Sequence, residues 1–283
     1  YKLGAKFNYA LGDHQLKFGG EYEKLDVFNM FVPNSLGTYT FNSLADFENQ
    51  VASRFDYGNA YTNNPADAAA NFTIGMGNAY VQDTWYLSDE WELGLGMRYE
   101  RYFVSDKPTF NQNFYNRYGY SNQENLDGLD IWLPRVSLTW YANDDLTVNG
   151  GVGRFTGGRP NVWISNSFSN DGVTNVSYDK GALNSDQYLK NVTLTSIPQA
   201  VLDSMKQGDG NTNTVDPNYK MPSDWVARIG TDYRFDIPSV GNDFNWHFEV
   251  MRKWMTDNTT WKDISRCVSG QTTTGVNIYE PCF

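Results

Sequence analysis

The chain has 283 residues, of which 16% are aromatic and 19% charged, with a formal net charge of −11. That acidity argues against a nucleic-acid partner, and two cysteines with two histidines are too few for a zinc site of standard spacing. No apolar run approaches the length of a membrane helix, which leaves open a membrane barrel, whose strands are only half apolar.

Tyr1, Leu3, Ala5, Phe7 and Tyr9 alternate with Lys2, Gly4, Lys6 and Asn8, a period of two that predicts a strand. Gly12-Asp13 signals a tight turn. Leu16, Phe18, Gly20 and Tyr22 then alternate with Lys17, Gly19, Glu21 and Glu23, completing a hairpin. The chain enters at Tyr1 within this pattern and carries no signal peptide, so a mature protein or a piece of a larger one is expected. From about 27 to 71 the periodicity is lost, and Pro33, Asn34, Gly37, Asn63, Asn64 and Pro65 mark a long loop. Phe72 to Leu87 reads as strand again, with its register unsettled around Asn78, and Ser88-Asp89-Glu90 turns the chain.

The segment from Trp91 to Val104 carries the sharpest signal. Trp91, Leu93, Leu95, Met97 and Tyr99 fall on one face, and Glu92, Gly94, Gly96, Arg98 and Glu100 on the other. Charge and glycine do not make a soluble core, whereas a strand with lipid outside and water inside needs this division. A second long loop covers about 105 to 130. Trp132, Val136, Leu138 and Trp140 alternate with Arg135, Ser137, Thr139 and Tyr141, and Leu146 to Val152 follows after a short turn. The longest loop, about 156 to 222, is rich in Asn, Ser, Asp and Gly. Trp225 to Tyr233 and Phe244 to Val250 form the last alternating pair, around a turn holding Pro238 and Gly241. An irregular segment from about 257 to 283 ends the chain.

Some eight strands are therefore expected, joined alternately by short turns and long loops. A soluble β-sandwich has no reason to gather its long connections at one end. An antiparallel transmembrane β-barrel of the outer membrane does, with short periplasmic turns and long extracellular loops. On that topology four strands run outward, and the apolar face of each ends in a cation: Lys24, Arg101, Arg154 and Arg252. Each lies far enough from its turn to cross one apolar band of about 25 Å. They are expected to meet lipid phosphate, with lipopolysaccharide as the partner, unless they only snorkel. The opposite faces carry Glu21, Glu23, Glu92, Arg98, Glu100, Arg135, Arg228, Asp232, Arg234, Glu249 and Lys253. These lumen-facing charges of mixed sign could guide a substrate, line water or contact a plug.

Three segments carry a resemblance. They are 79–85 (Ala-Tyr-Val-Gln-Asp-Thr-Trp) running into Leu95-Gly96-Met97-Arg98-Tyr99-Glu100, then Gly153 to Pro160, and Val215-Asp216-Pro217-Asn218-Tyr219-Lys220-Met221-Pro222. Together the chain, from about Gly75 to Trp254, resembles the barrel of TonB-dependent outer-membrane receptors, especially the Oar-like branch. The resemblance implies a barrel of about 22 strands of which residues 1–283 supply a part, a plug that this chain does not contain, and partnership with the TonB system. A complete eight-stranded barrel is the alternative, since that number also closes. The terminal Phe283 matches a common outer-membrane ending, but Gly275, Asn277 and Pro281 spoil the alternation before it, so no weight falls on it.

Other candidate chemistry is sparse. Cys267 and Cys282 lie in the last segment, outside the cell on this topology, where oxidising conditions point to a disulfide; two free thiols are the alternative. Asp209, Asn211 and Asn213 imitate the start of a calcium loop, but Thr214 and Lys220 stand where Gly and Glu are required, so that reading fails. His14 and His247 have no Ser, Cys or acid partner at a recognisable spacing, and no catalytic role or cofactor is assigned. The loop aromatics Trp163, Tyr178 and Tyr188 could bind ligand, though such residues more often pack loops together. The expected function is uptake of an extracellular substrate across the outer membrane. The alternatives are an Oar-like surface protein for adhesion or assembly, and a passive pore; an enzyme is not expected.

Overall fold

A computed structural model describes residues 1–157, 161–178 and 185–282. The strands in chain order are β1 (Lys2–Leu11), β2 (His14–Asn29), β3 (Thr38–Thr40), β4 (Arg54–Asp56), β5 (Gly58–Ala60), β6 (Ala70–Tyr86), β7 (Trp91–Phe103), β8 (Asp130–Asn143), β9 (Leu146–Phe155), β10 (Asn175–Ser177), β11 (Ser223–Ile237), β12 (Gly241–Thr256), β13 (Arg266–Gln271) and β14 (Asn277–Pro281). Four short helices, α1 (Leu44–Glu48), α2 (Gln112–Tyr118), α3 (Asn161–Ser169) and α4 (Gln199–Ser204), lie in the longer connections.

One antiparallel sheet holds eight strands in the order β1-β2-β6-β7-β8-β9-β11-β12. Each neighbour in the sheet is the next long strand in sequence, the up-and-down order of an outer-membrane barrel. β1 and β12 are its two edges, so the sheet does not close on itself as the eight-stranded alternative required. The turns are local. Gly12 adopts φ +57 between β1 and β2, a conformation glycine reaches without cost. Asn143 accepts hydrogen bonds from the Asp145 and Leu146 backbone N–H groups at 2.9 and 3.0 Å, closing the β8–β9 turn.

The register fixes the faces. One ladder row runs through Tyr9, Leu16, Asp83, Leu95, Val136, Val152, Ala227 and Arg252. Directly paired residues share a face, so the alternating apolar sets of all eight strands lie on one side. Much of that side is bare: Leu95 is 41% exposed, Val81 50% and Ile229 59%. A water-facing surface does not carry so large an apolar area, and hydrocarbon accounts for it. Aromatic pairs sit on this face toward both rims: Trp91 with Trp140 (5.5 Å between ring centroids) at the turn end, and Tyr99 with Trp132 (4.7 Å) at the loop end. Tyr and Trp favour such boundaries.

β6 runs unbroken past Asn78, which pairs with both Glu21 and Glu100. The long connections hold more order than their composition suggests. β3 pairs with β4 and β5 with β10. The final segment contains a β13–β14 hairpin closed by a Cys267–Cys282 disulfide. The packed cores belong to the loop end. In one, Phe72, Ile74, Tyr102, Ile131 and Leu133 of the sheet meet Ile164 and Met221. In the other, Phe55, Tyr57, Tyr178, Val201 and Met205 join three loop segments.

Candidate functional site

The wet face of the sheet is a ladder of charge pairs. Lys2 lies 3.1 Å from Glu21, Arg228 3.1 Å from Glu249, and Lys253 2.7 Å from Asp224. Arg234 reaches Asp145 at 2.9 Å across the turn end. The Tyr141 hydroxyl donates to Glu92 at 3.2 Å. Arg135 stacks over Phe155, 4.5 Å from its centroid. Registers place Glu21, Glu23, Glu92, Arg98, Glu100, Arg135, Arg228, Asp232, Arg234, Glu249 and Lys253 on this one face. The strand cations Lys24, Arg101, Arg154 and Arg252 lie on the other.

The exposed pairs are screened by solvent and contribute little to stability. The Arg98–Glu100 pair differs: its 2.6 Å contact lies where Glu100 is only 8% exposed. Asn78 stands between Glu21 and Glu100 in the ladder, and its Oδ1 is shut from solvent without a hydrogen-bond partner. Small residues make room for this lining. A Cβ on Gly19 would run into the Ala5 carbonyl oxygen and come within 2.8 Å of the Tyr80 hydroxyl, so glycine there lets the β1 backbone approach and the Tyr80 side chain lie across the strand.

Both histidines acquire an acid that sequence spacing did not reveal. His14 Nδ1 is 2.7 Å from Asp83 and its ring stacks on Trp85 at 4.9 Å; His247 Nδ1 is 2.7 Å from Asp232. The partners come from the adjacent strand, so only the register could supply them. No third group completes a catalytic set around either histidine among the hydrogen bonds of the described residues, and none of those residues gather three or more metal-ligating side chains.

Above the wet face the loops interlock. α3 packs on β6, with Phe168 stacked on Phe72 at 4.6 Å. The buried Asn111 amide donates to the Asp171 carbonyl at 3.0 Å, and Asn122 accepts from the Asn111 backbone N–H at 2.8 Å. Asp171 in turn accepts from Val173 N, Thr174 N and Thr174 Oγ1. Asp209, considered above as a calcium ligand, is held by Arg117. These contacts tie the 105–130 and 156–222 connections into one body.

Clefts open among the described residues of the loops. One of about 850 Å³ lies between Pro33, Asn34, Asn170, Ser177 and Lys206. Two others, about 480 and 690 Å³, share Leu126, Trp163, Tyr219, Asn258 and Thr259. Trp163 meets Trp261 edge to face at 5.5 Å. Tyr120 lines the larger of these two clefts, and burial pushes its phenol up. Aromatic faces beside amides and hydroxyls suit a ligand with apolar and hydrogen-bonding parts. Of the three loop aromatics singled out in sequence, Trp163 lines this region. Tyr178 and Tyr188 pack the loops, Tyr178 within 5.9 Å of Phe55. Tyr219 and Trp261 were not foreseen, because their proximity joins distant segments. Gly158-Arg159-Pro160 and Phe283 lie outside the described residues.

Residues 1–235 match the family described as the outer membrane beta barrel domain. No curated protein matches the chain. Among solved structures, the siderophore receptor PirA from Pseudomonas aeruginosa is 17% identical, with a TM-score of 0.48, over 99% of this chain and 36% of that one. A variant of the ferric enterobactin receptor PfeA from the same organism gives 13% and 0.47, over 99% and 30%. The ferric-catecholate import receptor Fiu from E. coli gives 10% and 0.40, over 99% and 32%. The chain spans about a third of the length of these structures.

Proposed function

The chain belongs to the outer membrane beta barrel domain family, and from that premise we propose that it forms part of a TonB-dependent receptor that takes up a substrate across the bacterial outer membrane. The observation that carries this reading is the joint placement of two surfaces: a sheet face lined with paired charges, and loop clefts gathered at one end of that same sheet. A passive barrel needs only the first. A receptor needs both, since capture outside must precede passage inside.

The open sheet supports membership in a larger barrel. β1 and β12 each expose a row of backbone groups that no lipid can satisfy. Further strands must pair with both edges, and a plug within the completed barrel would meet the charged face. The finer placement, in the Oar-like branch, rests on the 215–222 segment, which leads into β11 and lines the Trp163 clefts. No substrate is named.

The test separates three outcomes. Cells lacking the gene, and cells lacking TonB, are compared with wild type for growth on candidate nutrients and for adhesion. Loss of the same nutrient uptake in both strains is expected. Uptake that survives without TonB would indicate a passive pore. Lost adhesion with uptake intact would indicate a surface-assembly protein.

A further inference from the structure

The lipid face of the eight strands carries four cations among the described residues: Lys24, Arg101, Arg154 and Arg252. They occupy one position each on β2, β7, β9 and β12, the strands that run from the short turns toward the loops. Lys2, Lys6, Lys17, Arg98, Arg135, Arg228, Arg234 and Lys253 all face the other way. Such sorting needs a cause, and the ladder register gives a geometric test of one.

Measured from the row through Leu16, Leu95, Val152 and Arg252, Lys24 lies eight residues toward the loops, Arg101 six, Arg154 two and Arg252 none. In an upright sheet those offsets would scatter the cations over about 26 Å, at about 3.3 Å per residue. Barrel strands tilt by about 40°, and neighbours are about 4.8 Å apart. Residues at one height must then step back by about 1.2 residues per strand. The observed step is eight residues over the six strand-to-strand steps from β2 to β12, or about 1.3 per strand. The first residues after the four short turns, His14, Trp91, Leu146 and Gly241, step back in the same sense. That fixes the direction of the tilt independently. With it, the four cations fall within about 4 Å of one plane.

Their surroundings hold them at that plane. Arg101 lies over Phe103 at 5.7 Å and Arg252 over Trp254 at 5.0 Å, each ring one outward-facing position nearer the loops. Arg154 donates to Ser223 at 2.9 Å and lies 3.9 Å from Asp257, and Lys24 is 3.5 Å from Asp26. We propose that Lys24, Arg101, Arg154 and Arg252 form a belt that binds the headgroup phosphates of outer-leaflet glycolipid. The charge logic favours this occupant: a chain of net charge −11 gathers the cations of its lipid face, among the described residues, at one level where anionic headgroups lie, with Asp26 and Asp130 beside Lys24 and Arg101. The inference rests on the outer-membrane barrel and is independent of substrate transport.

Native mass spectrometry of the intact protein can decide it, using lipid A and the same lipid after enzymatic dephosphorylation. The wild type should retain the phosphorylated form at least about tenfold more strongly. Substituting all four residues by glutamine should abolish that preference, while Lys6→Gln with Lys17→Gln on the other face should preserve it. Equal retention of both lipids by the wild type would overturn the proposal in favour of snorkelling, and this arm needs no variant to fold. Displacement by millimolar inorganic phosphate would overturn it too, since the belt would then hold free anion.

Discussion

Glu100 is buried on the wet face, where the Arg98 guanidinium lies 2.6 Å from it and pairs the two side chains. Replacing Arg98 by Met should strand that carboxylate and cost about 1–3 kcal/mol, read as a lower urea midpoint for unfolding from lipid vesicles. Adding Glu100→Leu should recover most of the loss, because an unpaired charge costs more than no charge. Lys2→Ala removes an exposed partner of Glu21 and should change the midpoint little. The face each of these residues takes was readable from a period of two, but their partners were not. Alternation assigns a side, whereas a pair such as His247–Asp232 depends on which rungs align across strands.

At the scale of the strand, the two faces predict opposite responses to one substitution. Leu95 lies four residues beyond Trp91 and six before Arg101, close to the middle of the apolar band. Leu95→Arg should cost about 2–4 kcal/mol in vesicle unfolding. Gln82→Arg, on the wet face of the adjacent strand, should cost under about 1 kcal/mol; equal costs would mean the faces are misassigned. The β13–β14 hairpin obeys different rules, since two strands alone are marginal in water. Its disulfide closes a 15-residue separation, a constraint of about 3 kcal/mol on the unfolded segment. Reduction should expose the 272–275 tip to protease while vesicle unfolding of the sheet stays unchanged. At the hairpin's base the Ser265 hydroxyl and backbone N–H hold the Asp263 carboxyl below its usual range. A lowered carboxylate stabilises above its unfolded pKa and loses that contribution as pH falls through the folded value. Protection of the Ser265 amide, measured as exchange relative to the intrinsic rate at each pH, should therefore fall only in acid. The hairpin was missed in sequence because Gly270 and Gly275 interrupt any alternation.

For the whole molecule, the governing fact is the pair of open edges. Sequence patterning foretold eight strands and the side on which long connections gather, because binary alternation and turn residues are local. It did not foretell the loop body, where Asn111, Asn122 and Asp171 meet across about sixty residues of chain. Nor does local patterning decide closure, which depends on whether β1 and β12 pair, and they do not. An exposed strand edge in hydrocarbon leaves each outward N–H and C=O unsatisfied, at several kcal/mol per group. With β1 spanning ten residues and β12 sixteen, no balance of side-chain burial offsets that debt. These 283 residues expressed alone and offered to lipid vesicles should therefore form no heat-resistant monomeric barrel on unboiled gels. They should remain protease-sensitive, or associate edge to edge. A stable monomer with full amide protection in both β1 and β12 would show that the two edges had found each other, and would return the eight-stranded barrel as the working unit.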